Sequence, residues 1–241
     1  MNWNLKKNIK LSGVQILALG FVVIILVGTI LLTLPISTAS GESTSFLDAL
    51  FTATSAVCVT GLIVVDTGSY WNMFGQTIIM ILIEIGGLGF MSFTTLIAII
   101  LGKKITLRER LILQDAMNTF NIQGLVKMVK YVLVFTVSVQ FFGALLLSTQ
   151  FIPEFGFGKG AFYSLFHSIS AFCNAGFDVL GKGNSLISFN TNVVVIMVLS
   201  ILIIIGGLGF TVWSELYTCK SIRRVSIHSK MVLLITTGLV V

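Results

Sequence analysis

Long uncharged runs alternate with short charged segments along this chain. Gly13–Leu34 carries no charge, Met73–Leu101 carries only Glu84, and Leu133–Ile152 and Thr191–Ser214 lie inside two further runs. Such runs reach the roughly 20 residues that a helix needs to cross a bilayer core. Between the first and second, Phe46–Val57 makes about 18 Å of helix, too short to cross. Ala161–Phe172 stands in the same place between the third and fourth. Irregular backbone at membrane depth survives only where it is buried in protein or lines a water-filled cavity. The pattern therefore predicts an all-α polytopic membrane protein in the order span, re-entrant half-helix, span, stated twice. Ser45 or Thr44 is the expected cap of the first half-helix, since short polar side chains accept from free N–H groups at helix starts. For the second, Gly160 is the nearest candidate.

The repetition is visible residue by residue. Phe51–Gly61 reads FTATSAVCVTG and Phe166–Gly176 reads FHSISAFCNAG, with phenylalanine, serine, alanine, cysteine and glycine in register. Each is followed by the run IGGLGF, at Ile85–Phe90 and again at Ile205–Phe210. The second copy is slightly longer in the loop after the glycine turn, where insertions are tolerated. A half-length helix ending in a glycine turn between two spans is the sequence form of a pore loop, and it points to ions crossing a membrane.

Composition agrees with a lipid environment. The chain is 56% hydrophobic and 10% charged, with mean hydropathy +1.03, where a soluble domain carries about 25% charged residues. The first run is too long for a signal-peptide core and lacks a small-residue cleavage site before Pro35. Charge placement then orients the chain. Lys6, Lys7 and Lys10 precede the first span, and Lys103, Lys104, Arg108, Arg110, Lys127 and Lys130 lie between the second and third. Lys220, Arg223, Arg224 and Lys230 follow the fourth. The opposite loops hold only Lys159 and Lys182 among basic residues, against Glu42, Asp48, Asp66, Glu154 and Asp178. The positive-inside rule puts the N-terminus and the loop around 103–124 in the cytoplasm and both glycine turns outside. The net charge of +6 is mostly this orientation signal. Nucleic-acid binding is a poor reading, because the basic residues are scattered over three loops without an aromatic surface.

The chemistry expected of the turns is desolvation of a monovalent cation. A half-helix pointing inward brings its negative C-terminal end to the cavity. The extended residues after it present carbonyls in place of water, and glycine supplies the positive φ that turns a carbonyl to the axis. Val59, Thr60 and Gly61, with Asn174, Ala175 and Gly176, are the candidate filter segments. Asp66 and Asp178 are placed to raise cation concentration at the outer mouth; a solvated loop carboxylate is the alternative reading of each.

On these residues the chain resembles the Trk/Ktr/HKT superfamily of potassium transporters, and within it the bacterial Ktr membrane subunit. The resemblance rests on Thr54–Asp66, Ser170–Asp178, both GGLGF runs and Arg108-Glu109-Arg110. It implies helix–pore loop–helix (M-P-M) repeats, four around one pore, each giving one filter glycine, with Gly61 and Gly176 the first and second. Residues 1–102 and 125–218 are then two repeats, 103–124 a cytoplasmic linker, and 219–241 a second linker with the start of a third repeat. Met231–Val241 reads as that opening, so the chain is expected to be an N-terminal fragment or a prematurely ended frame. The implied activity is potassium uptake across the plasma membrane, passive or sodium-coupled. The implied partners of the intact subunit are a second copy and a cytosolic nucleotide-binding regulatory ring. ATP or NAD would bind that ring; no cofactor is expected on this chain. Two other readings stay open: a non-transporting fragment or assembly product, and a two-repeat channel pairing as a dimer.

Other residues are easily over-read. Glu84 sits mid-span, where a carboxylate is a functional candidate by default. Its counterpart is Ile204, so polar packing or a partner contact is favoured over an ion pathway. The GGLGF glycines read equally as hinges or as close-packing positions. His167 and His228 lack neighbouring ligands at metal spacing. Cys58 and Cys173 read as small thiols behind the filters, and with Cys219 they define no disulfide framework. No hydrolase or phosphate-binding motif is present.

Neither Val59–Ile63 nor Asn174–Asp178 matches the TVGYG-type run of potassium channels, which stacks several carbonyl layers. One glycine per loop predicts weak discrimination of potassium from sodium. Rubidium and sodium uptake by the intact protein should be of similar order, and channel-grade selectivity would refute the prediction.

Overall fold

The computed structural model describes residues 13–89, 125–181, 185–219 and 225–240. The basic N-terminal residues, Phe90, the 103–124 linker with Arg108-Glu109-Arg110, Lys182, and the cluster of Lys220, Arg223 and Arg224 lie outside them. Among the described residues there are nine α-helices and no strand. They are α1 (Gly13–Thr33), α2 (Phe46–Val57), α3 (Thr67–Tyr70), α4 (Met73–Leu88), α5 (Leu125–Phe155), α6 (Phe157–Phe172), α7 (Val193–Gly207), α8 (Phe210–Cys219) and α9 (Ile227–Val240).

Two of these, α1 and α5, are long and apolar enough to cross a membrane. Hydroxyls inside α1 are silenced locally. Thr29 Oγ1 donates to Ile25 O at 2.7 Å and Thr33 Oγ1 to Thr29 O at 2.8 Å. Its outer face leaves Leu19, Val22, Val23, Leu26 and Ile30 uncovered. On α5 the same holds for Val134, Val137, Phe141, Phe142 and Leu145. Apolar stripes of this kind suit lipid, where helices gain nothing by hiding leucine from the solvent.

Helices α1, α2 and α4 pack together, as do α5, α6 and α7, and α4 against α6 joins the two groups. The first core centres on Leu32, Ala49, Ala53, Trp71, Ile79 and Ile83. It also takes in Phe166, Ile169, Ala175, Phe177 and Val179 from the second group. A second core gathers Leu147, Phe151, Phe172, Phe189, Val195 and Leu202.

Asparagines start the helices that follow the loops. Asn72 Oδ1 accepts from Phe74 and Gly75 N–H at 2.9 and 3.1 Å, while its Nδ2 donates to Ile36 O and Thr38 O. Asn192 Oδ1 accepts from Val194 and Val195 N–H, and its Nδ2 donates to Gln150 Oε1 at 2.9 Å. Each residue therefore caps one helix and ties it to the connection or helix before it.

The first half-helix spans Phe46–Val57 as expected, capped by Ser45, whose Oγ accepts from Asp48 N–H at 3.2 Å. The second starts earlier than expected, at Phe157 instead of Ala161, and its cap is Gly156 instead of Gly160. Helix α5 runs on to Phe155, so one glycine at φ +78° makes the whole reversal. Gly160 instead lies inside α6, where a Cβ would stand 2.6 Å from Ile152 Cα. The apolar run Thr191–Ser214 is likewise not one helix. It breaks after Gly207, with Gly209 at φ +86°, and resumes as α8. Helix α4 ends in the corresponding place at Leu88, capped by Gly89 at φ +78°.

Helices α8 and α9 are joined by Glu215. Its Oε2 accepts from Ser226 N–H at 3.1 Å, Ser226 Oγ at 2.8 Å and Ser229 Oγ at 2.8 Å. Partial burial works against the charge, but these hydrogen bonds and nearby His228 outweigh it and hold the carboxyl below its usual range. A carboxyl with a lowered folded-state pKa adds stability above its unfolded value, and loses it as pH falls through the folded value. Thermal unfolding in detergent should therefore show an acid limb below about pH 4.3, the ordinary glutamate value. Glu215→Gln should flatten that limb by lowering the melting temperature at neutral pH toward the acid value, since the lost stability is the part present above the unfolded pKa.

Candidate functional site: the paired glycine turns

The two half-helices end by the same hydrogen bonds. After α2, Cys58 N–H donates to Thr54 O at 2.8 Å, Val59 N–H to Ala56 O at 3.2 Å, and Thr60 N–H to Ser55 O at 2.9 Å. After α6, Cys173 N–H donates to Ile169 O at 2.9 Å, Asn174 N–H to Ala171 O at 3.0 Å, and Ala175 N–H to Ser170 O at 2.8 Å. This is a Schellman closure, which requires a left-handed residue just past the helix. Val59 at φ +55° and Asn174 at φ +59° fill that position. Asparagine tolerates it, whereas a β-branched valine there is strained by about 1–3 kcal/mol. A second left-handed residue follows in each turn, Gly61 at φ +71° and Gly176 at φ +74°.

Serines in register on the half-helices hold the turns. Ser55 Oγ pairs with Thr60 Oγ1 at 2.9 Å, and Ser170 Oγ donates to Phe177 O at 2.7 Å. The sequence pattern displayed both serines without assigning them this work. The two turns meet at their glycines. A Cβ on Gly61 would fall on Ala175 O and lie 3.4 Å from Gly176 Cα, while one on Gly176 would lie 4.0 Å from Gly61 Cα. Gly61 is thus required twice, for its backbone angle and for the close approach of the second turn.

The GGLGF runs divide their glycines between both roles considered for them. A Cβ on Gly86 would fall on Val57 O, and one on Gly206 on Phe172 O, so the first glycine of each run packs against the end of its own half-helix. The third, Gly89 or Gly209, ends the helix with a positive φ and open space around it. The middle ones differ. Gly87 faces Cys173, where a Cβ would stand 2.8 Å from the cysteine Cβ, while Gly207 has only Asn174 Nδ2 at 3.9 Å.

Asp66 and Asp178 brace the loops beyond the turns. Asp66 Oδ1 accepts from Gly68 and Ser69 N–H at 2.9 and 3.3 Å and starts α3. Asp178 accepts from Leu180 N–H at 3.2 Å and Ser185 Oγ at 2.8 Å. The loops touch directly: a Cβ on Gly68 would stand 2.6 Å from Gly181 Cα and 2.7 Å from Val179 O. Beside the second turn a cavity of about 240 Å³ is lined by His167, Ser170, Asn174, Gly176 and Asp178 among others. His167 is buried, with Nδ1 2.7 Å from Tyr163 O. Among the described residues no cluster of three histidine, cysteine or acidic side chains forms a metal site.

Known sequences are similar to this one over nearly the whole chain. It is 51% identical over 239 residues to the potassium/sodium uptake protein NtpJ of Enterococcus hirae, covering 98% of this chain and 52% of that protein. It is 46% identical over 227 residues to Ktr system potassium uptake protein B of Bacillus subtilis, covering 94% and 50%. Against the protein of that name from Vibrio alginolyticus it is 39% identical over 224 residues, covering 92% and 48%. The chain spans about half the length of the curated relatives it matches. Its class is therefore that of helical proteins whose named relatives are cation transporters and not enzymes. The profile of the TrkH family, described as cation transport protein, matches residues 6–236, and the chain belongs to that family.

The glycine contacts generate a comparison. Gly86→Ala and Gly206→Ala each push a methyl into a helix-end carbonyl and should destabilise by about 1–3 kcal/mol, the usual range for overpacking. Gly207→Ala meets no such contact and gains helix propensity, so it should be neutral or mildly stabilising. Melting temperatures of the three variants in one detergent read the difference directly.

Proposed function

We propose that the chain supplies two pore-loop repeats of a potassium uptake transporter, residues 1–102 and 125–218. On this reading 103–124 is a cytoplasmic linker, and 219–241 is a second linker leading into a third repeat. The ion path is lined by Val59, Thr60 and Gly61 from one turn and Asn174, Ala175 and Gly176 from the other. The observation that carries this reading is the shared closure of the two half-helices, with their glycines in contact. The negative end of each half-helix lies at the turn, and carbonyls released from regular helix replace the water of a dehydrated cation. Asp66 and Asp178, besides bracing their loops, raise the local cation concentration.

The orientation follows from the basic loops: N-terminus cytoplasmic, turns opening outward, in the plasma membrane. Relatives named as Ktr system components support a multi-subunit assembly. In this proposal it comprises a second copy of the subunit and a cytosolic nucleotide-binding ring. The name of the Enterococcus hirae relative supports sodium beside potassium as a transported or coupling ion.

The test is rubidium uptake in cells lacking their own potassium uptake, with the native-length transporter. Gly61→Ser should raise the half-saturating concentration by roughly tenfold, equivalent to about 1.4 kcal/mol of lost coordination. Gly41→Ser is the control, because Gly41 also has positive φ but nothing within 4 Å. Unchanged kinetics for Gly61→Ser would remove it from the ion path.

A further inference from the structure

Glu84 has no place in the repeated design, since the second copy carries Ile204. Its surroundings are nonetheless built. Glu84 Oε2 accepts from Gln140 Nε2 at 2.7 Å and from the Cys173 thiol at 3.6 Å. Cys173 is the C-cap of α6, immediately before Asn174. Gly87, on the turn of α4 that follows Glu84, makes room for that thiol, because a Cβ there would reach Cys173 Sγ at 2.5 Å. Gln140 is itself tied to α6: its backbone carbonyl accepts from Ser168 Oγ at 2.7 Å, and Gly143 leaves space for that hydroxyl. Three helices, α4, α5 and α6, therefore converge on one carboxylate whose two named donors are neutral.

We infer that Glu84 is a positioning residue of the second turn. From a helix of the first repeat it holds Cys173, and through it the register of Asn174, Ala175 and Gly176. Removing an acceptor from a buried network leaves its donors unsatisfied, which costs more than the bond itself contributes. An amide oxygen at the same place keeps an acceptor, so Gln is the conservative variant. The corresponding thiol of the first turn, Cys58, is exposed. The inference rests on the reading of 174–176 as part of the ion path.

The experiment uses the native-length transporter in membranes, with two readouts. One is the alkylation rate of Cys173 by N-ethylmaleimide relative to the parent protein, read by mass spectrometry; the other is the half-saturating rubidium concentration for uptake. Glu84→Leu should raise Cys173 alkylation over the parent by about tenfold through local opening, and raise the half-saturating rubidium concentration severalfold. Glu84→Gln should restore both. If Glu84→Leu does not accumulate, Gln140→Leu, which removes only the amide donor, carries the same expectation in the same direction. Alkylation unchanged in both leucine variants overturns the brace. Alkylation raised with an unchanged half-saturating concentration also overturns the positioning role, and places the fault in the ion-path reading, since the brace itself would then have been seen to open.

Discussion

Backbone that leaves a helix inside apolar surroundings must satisfy its own polar groups, and the rest of this structure follows from how it does so. The last turns of α2 and α6 are closed by the N–H groups of the residues that follow them. That closure fixes the left-handed angles at Val59 and Asn174, brings glycine to the next left-handed position, and leaves a helix-end carbonyl facing outward in each copy. A bare glycine of the following helix covers that carbonyl, Gly86 over Val57 and Gly206 over Phe172. No side chain fits between them, so half-helix and following helix are locked at backbone contact. The strain at Val59 is tolerable only because the surrounding contacts over-determine the turn.

What was legible in the sequence was what local rules govern. Ser45 and the length of the first half-helix could be read because an N-cap hydroxyl and a three-residue spacing to Asp48 act within one turn. The second half-helix could not be placed as well. Its start is a single glycine reversal without a capping side chain, and Phe157 and Gly158 look like loop. The break after Gly207 was hidden for a different reason. Glycine in an apolar run serves packing and chain reversal alike, and only the observed φ separates Gly206 from Gly209. The candidate turn residues were visible through the repeat, but their meeting at Gly61 and Gly176 is a tertiary fact. So is the pairing of Glu84 with Gln140, residues far apart in sequence with no periodic relation.

The two copies are alike in backbone and unlike in cover. Phe177 is 2% exposed and Val179 fully buried, whereas the matching Leu62 and Val64 are 61% and 51% exposed. Nothing in the side chains accounts for this, since all four are large and apolar. The difference comes from position: Phe177 and Val179 belong to the core built by α1, α2 and α4, so the first helix group shelters the extended segment after the second turn. The extended segment after the first turn receives no such shelter among the described residues.

That contact is directional. One surface gives, formed by the face of α4 with Glu84 and Gly87; the other receives, formed by the helix cap at Cys173 and the extended segment of the second turn. Contacts of this head-to-tail kind close into rings when the rotation between units permits, and extend into open chains when it does not. The contact is made once among the described residues, and it leaves Cys58, Leu62 and Val64 of the first turn exposed. A unit placed head to tail against them would repeat this contact, whereas a like-to-like pairing would not.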